Sequence, residues 1–164
     1  MYFFYFLEIS TTDGKVWKGA SENATEGLNK YVPEKLKIGK ECARDIFSRN
    51  SLTLLAISYS SFSDRAIESF ITEKTKRIPH IVLQPILNPL KWLLWSQFMS
   101  SSSHHFPIRG DIPESIEVFG MQNKYAGYVF LIDSRSMIRW KAAGAATDLE
   151  LEQLNSIIVS LLKC

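Results

Sequence analysis

Cysteine is scarce in this 164-residue sequence: there are only Cys42 and Cys164, 122 positions apart. Nothing in that spacing favours a bridge over two free thiols, and so little cysteine suits a reducing compartment. Neither sign of charge dominates, since 19 Lys and Arg face 17 Asp and Glu for a net +2. No run of Lys and Arg marks a nucleic-acid groove, so the reading is no nucleic acid. A net +2 is compatible with peripheral association with an anionic membrane but does not argue for it. No apolar run approaches the roughly 20 residues a bilayer span needs. The most apolar stretch, 86–99 (ILNPLKWLLWSQFM), has 14 residues and contains Pro89 and Lys91. Gly-rich phosphate loops, HExxH helices and GxSxG elbows are missing as well.

What is present fits one globular domain. Apolar residues make up 46% and charged residues 22%, the range of a water-soluble fold. A chain of this length buries about 70% of its unfolded surface and needs no disulfide staple. The opening residues Met1 to Leu7 are apolar and aromatic with no basic residue ahead of them. They match neither a secretory signal nor an Arg-rich presequence, and read as a short strand or arm.

Asp13-Gly14 forms the turn of a hairpin over 8–18, with Ile9 and Val16 on its arms. Residues 25–46 are weakly periodic and broken at Pro33 and Gly39, which predicts one or two short helices. The expected division is a hairpin and helical extension over 1–50 packed on a core domain over 51–164. Within the core, 52–59 (LTLLAISY) is an apolar run of strand length. Ser63 is placed to cap a helix beginning at Asp64, and Ala66, Ile67, Phe70 and Ile71 repeat at helical spacing. A second strand covers 80–83, closed by Pro85. A strand, a helix and a strand in that order make a parallel unit with a right-handed crossover. The Ser/His run 100–105 reads as a loop, and Asp111-Ile112-Pro113 as a helix start. Residues 128–132 and 137–140, joined by four residues, must pair antiparallel. Thr147 and Glu150 form a capping box, after which Leu151, Leu154, Ile158 and Leu161 line one helix face.

The order β-α-β, helical connection, β-β, α is a thioredoxin-like α/β layout: a mixed four- to five-stranded sheet with helices on both faces. A thioredoxin enzyme carries Cys-x-x-Cys after its first core strand, where the next helix lowers a thiol pKa. Here that place reads Ser58-Tyr59-Ser60-Ser61-Phe62-Ser63-Asp64. Such enzymes also carry a cis-proline before the third strand, where this chain has Tyr125-Ala126-Gly127. Disulfide exchange is therefore excluded on two counts. Adjacent His104 and His105 point apart and lack a third ligand, so no metal site is expected. Ser60, Ser61 and Ser63 suit capping better than anion binding, and Asp64 and Glu68 read as an exposed acidic face. No catalytic residue and no cofactor are assigned.

Binding surface remains. Trp92, Trp95 and Phe98, with Leu94, form an aromatic stripe at helical spacing. Such stripes are more often core, but indole N–H groups need partners, which favours interfaces. Arg139 and Trp140 stand at the end of the fourth strand, where a cation can meet an acidic partner or a strand-edge salt bridge.

The C-terminal pattern Tyr128-Val129-Phe130-Leu131-Ile132-Asp133, Ile138-Arg139-Trp140, Gly144-x-Ala146-Thr147 and Glu150-x-x-x-Leu154 resembles the mitochondrial ATPase-complex assembly factor ten family. Tyr5-Phe6-Leu7-Glu8 with Asp13-Gly14-Lys15 is similar to that family's opening segment, although Leu7 replaces its usual Pro. The resemblance implies residence at the matrix side of the mitochondrial inner membrane. It implies a non-catalytic chaperone that holds newly made subunit a (subunit 6) of the ATP synthase until it joins the rotor ring. A permanent accessory subunit of the ATP synthase or a respiratory complex is the alternative. A thiol peroxidase with Cys42 as nucleophile is a third, but Cys42 precedes the first core strand.

Overall fold

The computed structural model describes residues 9–10, 16–17, 30–86, 105–109, 119–121 and 126–163. The first strands, β1 (Ile9–Ser10) and β2 (Val16–Trp17), pair antiparallel as the Asp-Gly hairpin predicts.

Of the stretch 25–46 expected to hold one or two short helices, the described residues from 30 on carry one, and what precedes it is turn and strand. β3 (Lys37–Ile38) and β4 (Glu41–Cys42) form a small antiparallel ribbon, and among the described residues of this stretch α1 (Ala43–Ser48) is the helix. The reason is local. Leu36 and Ile38 are buried at a period of two while Lys35 and Lys37 are exposed, a strand pattern. Gly39 then turns the chain at φ +64°, a conformation that a side chain disfavours.

The central sheet has five strands in the order β7-β6-β5-β8-β9. β5 (Leu52–Ile57) leads into α2 (Ser61–Glu68) and returns as β6 (His80–Ile86), parallel to β5. The strand does not stop at Leu83. Leu83 O accepts from Ser58 N at 2.9 Å, so residues 83 and 85 turn their polar groups toward β5. β5 has already ended there, and Pro85 has no ladder bond to lose. β7 (His105–Arg109) pairs parallel to β6, so His105 opens a strand and not a loop. Pro107 disguises it, yet proline is tolerated on an outermost strand. β8 (Tyr128–Asp133) lies antiparallel to β5, and β9 (Ile138–Ala143) antiparallel to β8. The last helix, α3 (Asp148–Leu162), starts at Thr147 with the predicted capping box.

Alternation sorts the sheet's side chains onto two buried faces. Leu54, Ala56, Val129, Leu131 and Trp140 pack under α2 and α3 with Ile67, Phe70, Leu154, Ile157 and Ile158. Leu55, Ile57, Phe130, Ile132 and Ile138 face the other way, against Val32, Leu36, Ile38, Ala43 and Phe47. Both faces of β5 and β8 are covered, which is why they read as unbroken apolar runs. Residues 30–48 thus close one face of the sheet. Among the described residues no helix is long and apolar enough to cross a membrane.

Candidate functional site

The place to inspect is where β5 ends and α2 begins. The helix starts three residues before Asp64: Ser60 is the N-cap, with extended backbone (φ −153°, ψ 160°), and Ser63 is the third helical residue. Ser60 Oγ accepts from Ser63 N at 3.2 Å, and Ser63 Oγ accepts from Ser60 N at 2.9 Å. Serine takes the part that Glu or Gln plays in the usual box. The spacing Ser-x-x-Ser carries the signal, and the cap is Ser60 where the sequence suggests Ser63.

Ser63 Oγ is the hub of a buried knot. It donates to Ser60 O at 2.8 Å and lies 2.8 Å from Ser58 Oγ and 3.1 Å from Ser60 Oγ. Ser63 is wholly buried and Ser58 nearly so. A hydroxyl has one proton and two lone pairs, and these contacts use them. Every one of those contacts is a serine hydroxyl or a backbone group.

The loop before β8 seals the knot. A Cβ on Gly127 would lie 2.7 Å from Ser63 O and 3.1 Å from Ile67 Cγ1. Only glycine allows this approach, and Gly127 O is further fixed by Gly144 N at 2.8 Å. No cis peptide bond occurs among the described residues. Asp64 is not part of an exposed acidic face: its Oδ1 accepts from Gln84 Nε2 at 3.0 Å. Phe62, by contrast, is 72% exposed beside the knot. Sequence reasoning missed it, because its aromatic ring gave no reason to expect an outward place.

The five residues assigned to partner binding fall into two groups. Trp92, Trp95 and Phe98 lie outside the described residues, as does the expected helix start at Asp111. Arg139 and Trp140 are described, and the fold itself covers both. Trp140 is completely buried, its ring 5.8 Å from that of Phe70 at 70°. It is a core residue, because its register opposite Leu131 turns it toward α3. Arg139 is the extra residue in a bulge, between Ile138 opposite Ile132 and Trp140 opposite Leu131. Its side chain is buried, with Nε 3.8 Å from Asp133 Oδ2. The strand-edge salt bridge is therefore the role the fold gives it, and no outer surface is left for an acidic partner.

Cys42 is a free, half-buried thiol whose Sγ lies 3.5 Å from Glu34 O. It sits before β5 in the chain, and Cys164 lies outside the described residues. Among the described residues no group of three or more His, Cys, Asp or Glu is placed to hold a metal.

The fold is that of solved thioredoxin-like structures. One is described as a protein disulfide isomerase of Bacteroides thetaiotaomicron, 13% identical, with TM-score 0.58 over 84% of this chain and 91% of its own. Another is described as a thiol:disulfide interchange protein DsbE of Chlorobium tepidum, 16% identical, with TM-score 0.52 over 82% and 99%. A third is described as an electron transfer protein of Aquifex aeolicus VF5, 12% identical, with TM-score 0.52 over 81% and 94%. At such identities the likeness concerns the fold alone. Among curated proteins, none matches this sequence. The family model of the ATP10 protein matches residues 2–161. The chain belongs to the ATP10 family. That family carries a role in ATP synthase assembly, and its model takes in both the 30–48 segment and the serine knot. An ATP10 fold is thus a thioredoxin-like fold whose helix-start position is filled here by hydroxyls.

Proposed function

We propose that this ATP10 family member is a non-catalytic chaperone of the ATP synthase membrane sector. In this reading it holds newly made subunit a (subunit 6) at the matrix side of the mitochondrial inner membrane. The observation that carries the non-catalytic part is the Ser58–Ser60–Ser63 knot, a hydroxyl network centred on the buried Ser63, where thioredoxin-like enzymes need an activated thiol. Family membership supports the assembly role. What the scaffold then offers is surface, and the contact is assigned to Trp92, Trp95 and Phe98. Arg139 and Trp140 are buried and take no part in it.

The test is crosslinking in intact mitochondria during a pulse of organellar translation, followed by mass spectrometry. The expected product joins this chain to newly made subunit a and fades during the chase as the complex matures. Crosslinks to matrix dehydrogenases in its place overturn the reading. Recovery of the chain at one-to-one stoichiometry in the purified mature complex identifies a permanent accessory subunit instead.

A further inference from the structure

At the corner between β8 and β9 one carboxylate serves two guanidinium groups. Asp133 Oδ1 is taken by Arg135 N and Met137 N, both at 2.9 Å. Asp133 Oδ2 lies 3.8 Å from Arg135 Nε and 3.8 Å from Arg139 Nε, beyond hydrogen-bond length in both cases. Water can make up the difference for Arg135, which is largely exposed, but the Arg139 side chain is only 8% exposed. Arg139 Nε is buried and without a hydrogen-bond partner among the described residues. Its Nη1 donates to the thioether of Met137, 3.3 Å from Sδ. A thioether sulfur is a weak acceptor. The buried cation is thus held by a distant carboxylate and a poor lone pair, an arrangement that costs stability.

Met137 is within reach of solvent. It is half-buried, whereas Met121 is sealed in the core with Phe119 and Phe130. Val32 N donates to Ser136 O at 2.8 Å and Ile138 N to Lys30 O at 3.0 Å. Tyr31 and Met137 therefore oppose each other across an antiparallel bridge. Backbone bonds that flank a pair, instead of joining it, bring the two side chains close. Tyr31 is itself 53% exposed, so the thioether stands at the rim of the fold, with a tyrosine opposite and a guanidinium beside it.

We propose that Met137 is a site of oxidation by hydrogen peroxide, with Arg139 as the group that holds the resulting sulfoxide. In the step, a sulfur lone pair attacks one peroxide oxygen. The S–O bond forms as the O–O bond breaks, and the departing hydroxide takes the proton from the transferred oxygen and leaves as water. Sulfur gives up two electrons and the peroxide is reduced by them. Arg139 Nη1 then donates to a sulfoxide oxygen, a charge-assisted bond stronger than the one to sulfur. Methionine oxidation ordinarily damages packing, because it sets a polar group among apolar ones. Here the new oxygen arrives beside a buried donor that is poorly served, and the corner keeps its stability. The inference does not depend on which subunit the chain binds.

The test treats the purified full chain with limiting hydrogen peroxide, maps the added oxygen by peptide mass spectrometry and follows the urea midpoint. Met137 should gain an oxygen atom in the folded chain while Met121 gains none. Met137→Leu, treated in the same way, corrects for oxidation of the other methionines. The fall in midpoint on treatment should be no greater for the wild-type chain than for Met137→Leu. Arg139→Lys keeps the cation but loses the planar guanidinium, and in that variant oxidation of Met137 should lower the midpoint. An unmodified Met137, or equal oxidation of Met121, overturns the inference. So does a wild-type midpoint that falls further than that of Met137→Leu, a comparison that stands even if Arg139→Lys fails to fold. An oxidised Arg139→Lys chain as stable, relative to its untreated form, as the oxidised wild type removes Arg139 from the role. None of these outcomes bears on capture of subunit a, which the pulse crosslinking reads separately.

Discussion

Ser60 and Ser63 hold their hydroxyl oxygens 3.1 Å apart across the first turn of α2, at the two outer positions of a Ser-x-x-Ser motif. That is the spacing of the thiol pair in a thioredoxin-like oxidoreductase, translated into oxygen. Thiolate chemistry at a helix start depends on a proton that leaves near neutral pH, and a serine hydroxyl does not supply one. The wild-type chain should therefore fail to reduce insulin disulfides with dithiothreitol as electron source. The Ser60→Cys/Ser63→Cys variant should close an internal disulfide under mild oxidation, seen as the loss of one hydrogen molecule in mass. Turnover of insulin by the wild-type chain would overturn the non-catalytic reading. Failure of the double variant to close would show that the two positions are not the geometric equivalents of the thiol pair.

Gly127 gives a sharper test of how the loop before β8 is fitted. A methyl group there meets a backbone oxygen at 2.7 Å, and backbone cannot step aside as the end of a side chain can. Gly127→Ala should destabilise the fold by about 1–3 kcal/mol, the range for overpacking a close-packed site. The lowered midpoint in urea should come with an unchanged slope. Gly144→Ala is the useful contrast. There the Cβ meets nothing within 4 Å but the backbone sits at φ +84°. Its cost should be strain alone, on the order of 1 kcal/mol.

The core elements were legible because two independent signals agreed in each. β5 and β8 are apolar throughout and of strand length, and α3 joins a capping box to a helical stripe. The failures lie where one residue type spoke for another. Pro85 looks like a strand breaker, yet it faces no neighbour that needs its N–H. Ser63 looked like a cap because its partner Ser60 is the same residue three positions earlier. Arg139 and Trp140 looked alike as strand-end residues. The bulge that puts Arg139 beside Asp133 and Trp140 under α3 is a register shift between strands, and no local pattern encodes it.

Asp133 is the residue on which that bulge leans. Its Oδ1 accepts from Arg135 N and Met137 N, both at 2.9 Å, which shapes the turn between β8 and β9. Its Oδ2 is 3.8 Å from Arg139 Nε, and that nitrogen has no hydrogen-bond partner among the described residues. Asp133→Ala removes the turn's acceptor and the carboxylate beside the buried Arg139 guanidinium. Losses of that kind cost about 3–5 kcal/mol. Asp133→Asn keeps an oxygen for the turn and should lie between the alanine variant and wild type. Equal effects of the two substitutions would assign the whole cost to the charge and none to the turn.

Trp140 separates a structural role from a binding one. Its side chain is wholly buried among Phe70, Leu131, Leu154 and Ile158. Trp140→Ala should cost about 3–5 kcal/mol through lost transfer energy and a residual cavity. Trp140→Phe should cost much less, for two opposed reasons. It gives up part of the ring's contact area, but it also removes the buried indole N–H, which has no partner among the described residues. Such an unpaired donor is worth about 1–3 kcal/mol against the fold, so the phenylalanine variant should stay within roughly 2 kcal/mol of wild type. Because it folds, it can be carried into the crosslinking assay. Capture of the partner by Trp140→Phe should equal that of the wild-type chain, since a buried ring touches no partner. A selective loss of capture at preserved stability would mean that β9 opens to the partner, and Trp140 would return to the contact surface.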